Sequence, residues 1–230
     1  MKTLGIIGGS THIATVEYYN LINAHIRDAL GGLHTGEIII SSMDLAKSAH
    51  YVHNELWDEG AAYLHPKAIG LERAGADLII CVSNTWHRVA DKFMEGVKVP
   101  LLHIADPTAA AIKSQGLQKV ALLGTKATMS SPYLPDLFKN KHGLEVMVPE
   151  EKEQDFIDRV IFEEMSFSQF KDESRQEYLK IIDRLVAQGA QGVILGCTEI
   201  GLLVSQSDRP AVPMFDTLRL HAKAAAAAML

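Results

Sequence analysis

The stretch AGADLIICVSNT, residues 74–85, aligns without a gap on QGAQGVILGCTE, residues 188–199, at an offset of 114. Two flanking matches keep the same order. TLGIIGG (3–9) recurs as KVALLGT (119–125), setting Gly8 on Gly124 at an offset of 116, and Val99-Pro100 recurs as Val212-Pro213 at 113. Offsets that agree within three residues over three ordered matches point to an internal duplication, not to chance recurrence of strand-like runs.

Outward from the repeat, LGIIGG (4–9), EIIISS (37–42), DLIICV (77–82) and PLLHI (100–104) read as short parallel strands, apolar and β-branched. Amphipathic stretches from Ala14 to Leu30, Glu55 to Ala74 and His87 to Met94 read as helices between them. The Ala-rich end, AKAAAAAML, is expected to pack as a terminal helix, because Ala leads the helix propensities. Such alternation makes a parallel sheet with helices on its faces. The fold class is therefore α/β: two pseudo-symmetric domains, each a mainly parallel sheet flanked by helices, with the active site expected in the cleft between them. Residues 1–103 with 210–230 are expected to form the first domain, and 104–209 the second.

Composition narrows the function classes. A net charge of −6 with no basic run argues against nucleic acid and anionic membranes as partners. The opening MKTLGIIGGS has too short an apolar run for a signal peptide or a membrane span. Two cysteines in 230 residues make no disulfide framework, so a cytoplasmic location is expected.

The duplication also sets Ser83 on Cys197, Asn84 on Thr198 and Thr85 on Glu199. Each trio follows a strand end, where open parallel sheets place their ligands. Cys197 is the leading candidate for acid–base chemistry, its thiolate expected to be favoured by the dipole of a following helix. Ser83 reads equally as its chemical counterpart or as a helix N-cap. His87, four residues on, reads as a helix histidine bonded to the loop, and Cys81 as core. The glycine-rich loop GGSTHIAT offers Ser10, Thr11 and Thr15 as small donors, and its counterpart GTKAT offers Thr125, Lys126 and Thr128. No GxGxxG, GxxxxGK[ST] or GxSxG pattern is present. His50 and His53 read as a solvated loop, not a zinc site, since no HExxH or CxxC accompanies them.

GIIGGS followed by VEYYNLIN, then NTWH, LLGTKAT and GCTEIGLL, resembles the aspartate/glutamate racemase superfamily over nearly the whole chain. The resemblance implies an amino-acid racemase, an isomerase needing neither PLP nor metal, that takes a proton from one face of Cα and returns one to the other. It assigns one catalytic position to Cys197 and the other to Ser83, where the superfamily's commonest residue is cysteine. A hydroxyl there resembles the branch specific for L-aspartate and L-glutamate; an engineered replacement of cysteine would read the same. Asn84, Thr85, Thr125, Thr128 and Thr198 would hold the α-amino and α-carboxylate groups, with Ser10 and Glu199 counted among the substrate-binding residues. Lys47, His50 and His53 are candidates for an acidic side chain. The resemblance also implies a homodimer. Serine donates a proton more readily than it abstracts one, so exchange should favour the enantiomer whose α-hydrogen faces Cys197. Two other readings stay open: an isomerase or decarboxylase of a small dicarboxylic acid, and a homologue that binds an amino acid without turnover.

Overall fold

The computed structural model describes all residues, 1–230, which divide into two compact units: 1–104 with 221–230, and 105–220.

The first unit is built on β1 (Leu4–Gly8), α1 (His12–Leu30), β2 (Ile38–Ser42), α2 (Leu45–His53), α3 (Trp57–Arg73) and β3 (Leu78–Cys81). Its parallel sheet has the order β2-β1-β3. A 3₁₀ turn over Thr85–Val89 and the four-residue α4 (Ala90–Phe93) follow. They replace the continuous helix expected from His87 to Met94. The expected strand at 100–104 is a single parallel bridge, Ile79 to Leu101. Pro100 has no N–H to extend the ladder, and its carbonyl and the Leu102 N–H use up both backbone groups of Ile79.

The second unit holds α5 (Ala105–Ser114), β4 (Lys119–Leu123), α6 (Lys126–Met129), α7 (Tyr133–His142), β5 (Glu145–Met147), α8 (Glu151–Glu163), α9 (Asp172–Ala187), β6 (Val193–Leu195), α10 (Ile200–Leu203) and β7 (Met214–Asp216). Its parallel sheet has the order β5-β4-β6-β7. Both faces are buried, so successive residues of β4 serve different cores. Ala121 and Leu123 pack with Ile157, Tyr178 and Ile182, while Val120 and Leu122 pack with Ala109, Phe138 and Phe215.

The duplication survives at the level of single hydrogen bonds. Ile7 pairs with Cys81 and Leu123 with Leu195, which are matched positions in the two copies. The Ile79–Leu101 bridge has its counterpart in Val193–Met214. The N–H of Ile79 donates to Pro100 at 2.9 Å, and that of Val193 to Pro213 at 2.8 Å. Gly75 and Gly189 both turn the chain at positive φ, 98° and 104°. Asp77 accepts from the Thr3 N–H at 2.7 Å, and Gln191 from the Lys119 N–H at 3.0 Å.

The last helix, α11 (Thr217–Met229), crosses the unit boundary. Ala222, Ala225, Ala226 and Met229 form its buried stripe at helical spacing. Residues 210–220, assigned from the sequence to the first domain, stay in the second unit because β7 pairs with β6. No helix is long and apolar enough to cross a membrane.

The turn after β1 needs glycine at position 9. Gly9 has φ +88°, and a Cβ there would lie 2.2 Å from the Met43 carbonyl oxygen. Gly9→Ala is expected to lower unfolding free energy by about 3 kcal/mol, checked by urea denaturation.

Candidate active site

In the first unit, parallel register carries the loop after β1 and the loop after β3 to the same sheet end, with the Val82 N–H donating to Ile7 at 2.9 Å. Thr11 caps α1, accepting from the Ala14 N–H at 3.1 Å, and the Thr15 hydroxyl accepts from the Gly9 N–H at 2.8 Å. These ties fix the glycine loop that carries the half-buried Ser10.

Ser83 and Asn84 are buried just beyond β3, and Thr85 opens the 3₁₀ turn. The Ser83 hydroxyl oxygen accepts a long hydrogen bond, 3.4 Å, from the Trp86 N–H, so capping contact and chemical candidacy coexist in one side chain. His87 is buried and bonds the Ser83 carbonyl through Nδ1 at 2.7 Å, as the loop-bonding reading expects. Cys81 is fully buried, and that burial pushes its thiol up to about 12; it is core.

In the second unit, Thr125 and Thr128 are buried after β4 with their hydroxyls 3.0 Å apart. Cys197, Thr198 and Glu199 follow β6. The Gly196 N–H donates to Leu123 at 2.6 Å, bringing the loops after β4 and β6 side by side. A Cβ on Gly124 would sit 3.0 Å from the Gly196 carbonyl oxygen.

The Cys197 thiol donates to Glu199 Oε2 at 3.1 Å, and the Thr198 hydroxyl donates to the same oxygen at 2.8 Å. Burial, then the neighbouring Glu199 charge, push the thiol well above its ordinary range. This reverses the expected lowering by a helix dipole. The helix beyond Cys197 is only α10, four residues long, and so few aligned peptides make a small dipole. Nothing in the GCTEI pattern alone announces the thiol–carboxylate contact, although a two-residue spacing permits it.

The remaining sequence candidates lie elsewhere. His50 and His53 are exposed at the C-terminal end of α2, on a helix and not a loop, with Asn54 bonded to His50. Lys47 is exposed, its Nζ 5.8 Å from the Tyr63 ring. Lys67, which sequence reading passes over, approaches the same ring at 5.1 Å and donates to the Ser42 carbonyl at 2.8 Å. No grouping of three or more His, Cys, Asp or Glu side chains is placed to hold a metal ion.

A profile of the Asp/Glu/hydantoin racemase family matches residues 5–225. Among solved structures, the chain is similar to an Asp/Glu racemase of inferred activity from Yersinia pestis, with TM-score 0.90 and 43% identity over 100% of this chain and 99% of that one. An aspartate racemase homologue from Pyrococcus horikoshii OT3 gives TM-score 0.84 and 35% identity over the same shares. The broad-specificity amino-acid racemase RacX of Bacillus subtilis (strain 168) is 24% identical over 160 residues, 68% of this chain and 66% of that protein, just under two thirds of its length.

Proposed function

The chain belongs to the Asp/Glu/hydantoin racemase family, and from that membership we propose that it inverts the Cα of aspartate, glutamate or a related amino acid, with Cys197 and Ser83 as its two proton-handling groups. One observation carries the assignment of residues. Ser83 and Cys197 occupy equivalent stations beyond register-matched strands of two copies of one fold.

Removing the α-proton leaves an electron pair on Cα that is delocalised into the adjacent carboxylate. That charge is stabilised by donors already in place, a role for Ser10, Asn84, Thr85, Thr125, Thr128 and Thr198. Cys197 takes the proton as thiolate. Ser83 delivers a proton to the opposite face, and its alkoxide is then reprotonated by water. Cofactors have no step in this scheme, and the substrate is a small amino acid. A homodimer and a cytoplasmic location are part of the same proposal, carried by the family resemblance and the low cysteine content.

Glu199 accepts the thiol's hydrogen bond, and its charge is the second cause, after burial, that holds the thiol up. In Glu199→Gln that charge is gone while burial remains, so the thiolate fraction at neutral pH increases. Turnover near neutral pH is expected to rise by about tenfold, with the rising limb of the pH–rate profile displaced to lower pH, because the thiolate fraction grows tenfold per pH unit below the thiol pKa. A pH–rate profile of the variant against the parent checks this; profiles of the same shape and position make Glu199 a structural partner only.

The function is tested by incubating the protein with each pure enantiomer of aspartate and of glutamate in heavy water, following α-deuterium and chirality. Inverted, deuterated product is expected. Thermal protection by an amino acid without exchange from either enantiomer would mark a binder. Turnover only of dicarboxylates that lack an α-amino group would mark the isomerase or decarboxylase alternative.

A further inference from the structure

His87 is wholly enclosed in the first unit, and two backbone groups assign its tautomer. The Ile104 N–H donates to Nε2 at 3.3 Å, so that nitrogen carries a lone pair. Nδ1 therefore carries the hydrogen, and it points at the Ser83 carbonyl oxygen at 2.7 Å. The ring reaches the backbone of Ser83, not its hydroxyl, and so cannot relay that hydroxyl's proton as a general base.

The anchorage behind His87 is unusually deep. The 101–104 segment touches the sheet at one bridge only. It is held instead by two histidines, His87 on Ile104 and His221, whose Nε2 lies 2.9 Å from the Leu102 carbonyl oxygen. A carbonyl only accepts, so Nε2 of His221 carries the hydrogen and Nδ1 accepts from the Tyr18 hydroxyl at 2.9 Å. The His103 and His221 rings pack on His87 with centroids 4.4 and 6.0 Å away.

We infer that His87 is the positioning residue for Ser83: its Nδ1–H, braced from behind by the Ile104 N–H, fixes the Ser83 peptide so that the hydroxyl lies where it can deliver a proton. This rests on the racemase reading of Ser83 and Cys197 and adds to it a distinct requirement on one hydrogen bond.

Proton delivery competes with proton return. Once Cys197 has taken the α-proton, the carbanion either receives a proton from Ser83 and inverts, or recovers one from Cys197 and reverts. In heavy water the second route yields deuterated substrate of unchanged chirality, after the thiol has exchanged with solvent. Misplacing Ser83 slows the first route only. The ratio of deuterated substrate to inverted product thus reports Ser83 placement, and it does not depend on how much protein is folded.

Two variants divide the bonds of His87. In His87→Asn the amide nitrogen falls where Nδ1 was and can still donate to Ser83, while the Ile104 contact is lost. In His87→Gln the amide oxygen falls near Nε2 and can still accept from Ile104, while the bond to Ser83 is lost. With aspartate and glutamate as probes, His87→Gln is expected to raise the exchange-to-inversion ratio about tenfold, and His87→Asn to stay within about twofold of the parent. A Gln variant too slow to measure beside a measurable Asn variant supports the inference as well. Equal shifts in both variants, loss of both, or parental ratios in both overturn it. If the parent protein itself exchanges neither enantiomer, the racemase reading has failed, and that outcome is separable from the others.

Discussion

Cys197→Ala is expected to lower turnover of aspartate or glutamate by about a thousandfold, and to abolish α-deuterium incorporation from the enantiomer that faces the thiol. The size follows from how the sulfur is held. Burial and the Glu199 charge keep the thiol protonated at rest, so only a small thiolate fraction does the work, and alanine removes it entirely. Ser83 cannot substitute. Its hydroxyl accepts from the Trp86 N–H, and the ring of His87 is committed to backbone groups on both sides. Cys197→Ala also leaves the Glu199 carboxylate its bond from Thr198 at 2.8 Å, so the loop keeps a partner and need not collapse. Polarimetric rates on each enantiomer, with circular dichroism to show an intact fold, make the measurement. Activity within tenfold of the parent would remove Cys197 from the chemistry.

Ser83→Cys is expected to act in the opposite direction, raising kcat/KM by about 10- to 100-fold. Two enantiomers have equal free energy, so kcat/KM must be the same from either side, and no substitution can make it one-way. Asymmetry is confined to saturated rates and to isotope exchange. In the parent protein, wash-in should run strongly from one enantiomer, because a serine hydroxyl gives a proton far more readily than it takes one. A thiol at 83 supplies a usable base on that side, and wash-in should become comparable from both. The gain has a ceiling. Cys81, two residues deeper, is held up to about 12 by burial, and position 83 is itself 6% exposed, so a new thiol there would also resist ionisation. Exchange rates that remain as unequal as in the parent would count against Ser83 as the second proton-handling position.

The duplication was legible because matched strands keep matched periodicity, and the register of Ile7 with Cys81 and Leu123 with Leu195 follows from it. The placement of Ser83, Asn84, Cys197 and Thr198 beyond strand ends came from the same alignment. What was illegible has physical causes. PLLHI has strand composition, but Pro100 leaves it a single bridge. The thiol's upward shift depends on burial and on where one carboxylate folds back, which composition does not encode. The Tyr18–His221 bond joins residues 203 apart and has no local signature. The unit boundary after Leu220 was hidden because helical periodicity runs straight through it in α11.

That last helix reverses the usual order of assembly during synthesis. The ribosome completes 1–104 first, yet that unit lacks Ala222, Ala225 and Met229 for its core, the Met229 carbonyl that receives the Lys2 N–H, and the His221 ring that holds Leu102. All of them emerge only after 105–220 has been translated. Residues 1–104 must therefore wait, unfinished, until the last helix is made, and they are the stretch of the nascent chain with most need of protection from aggregation.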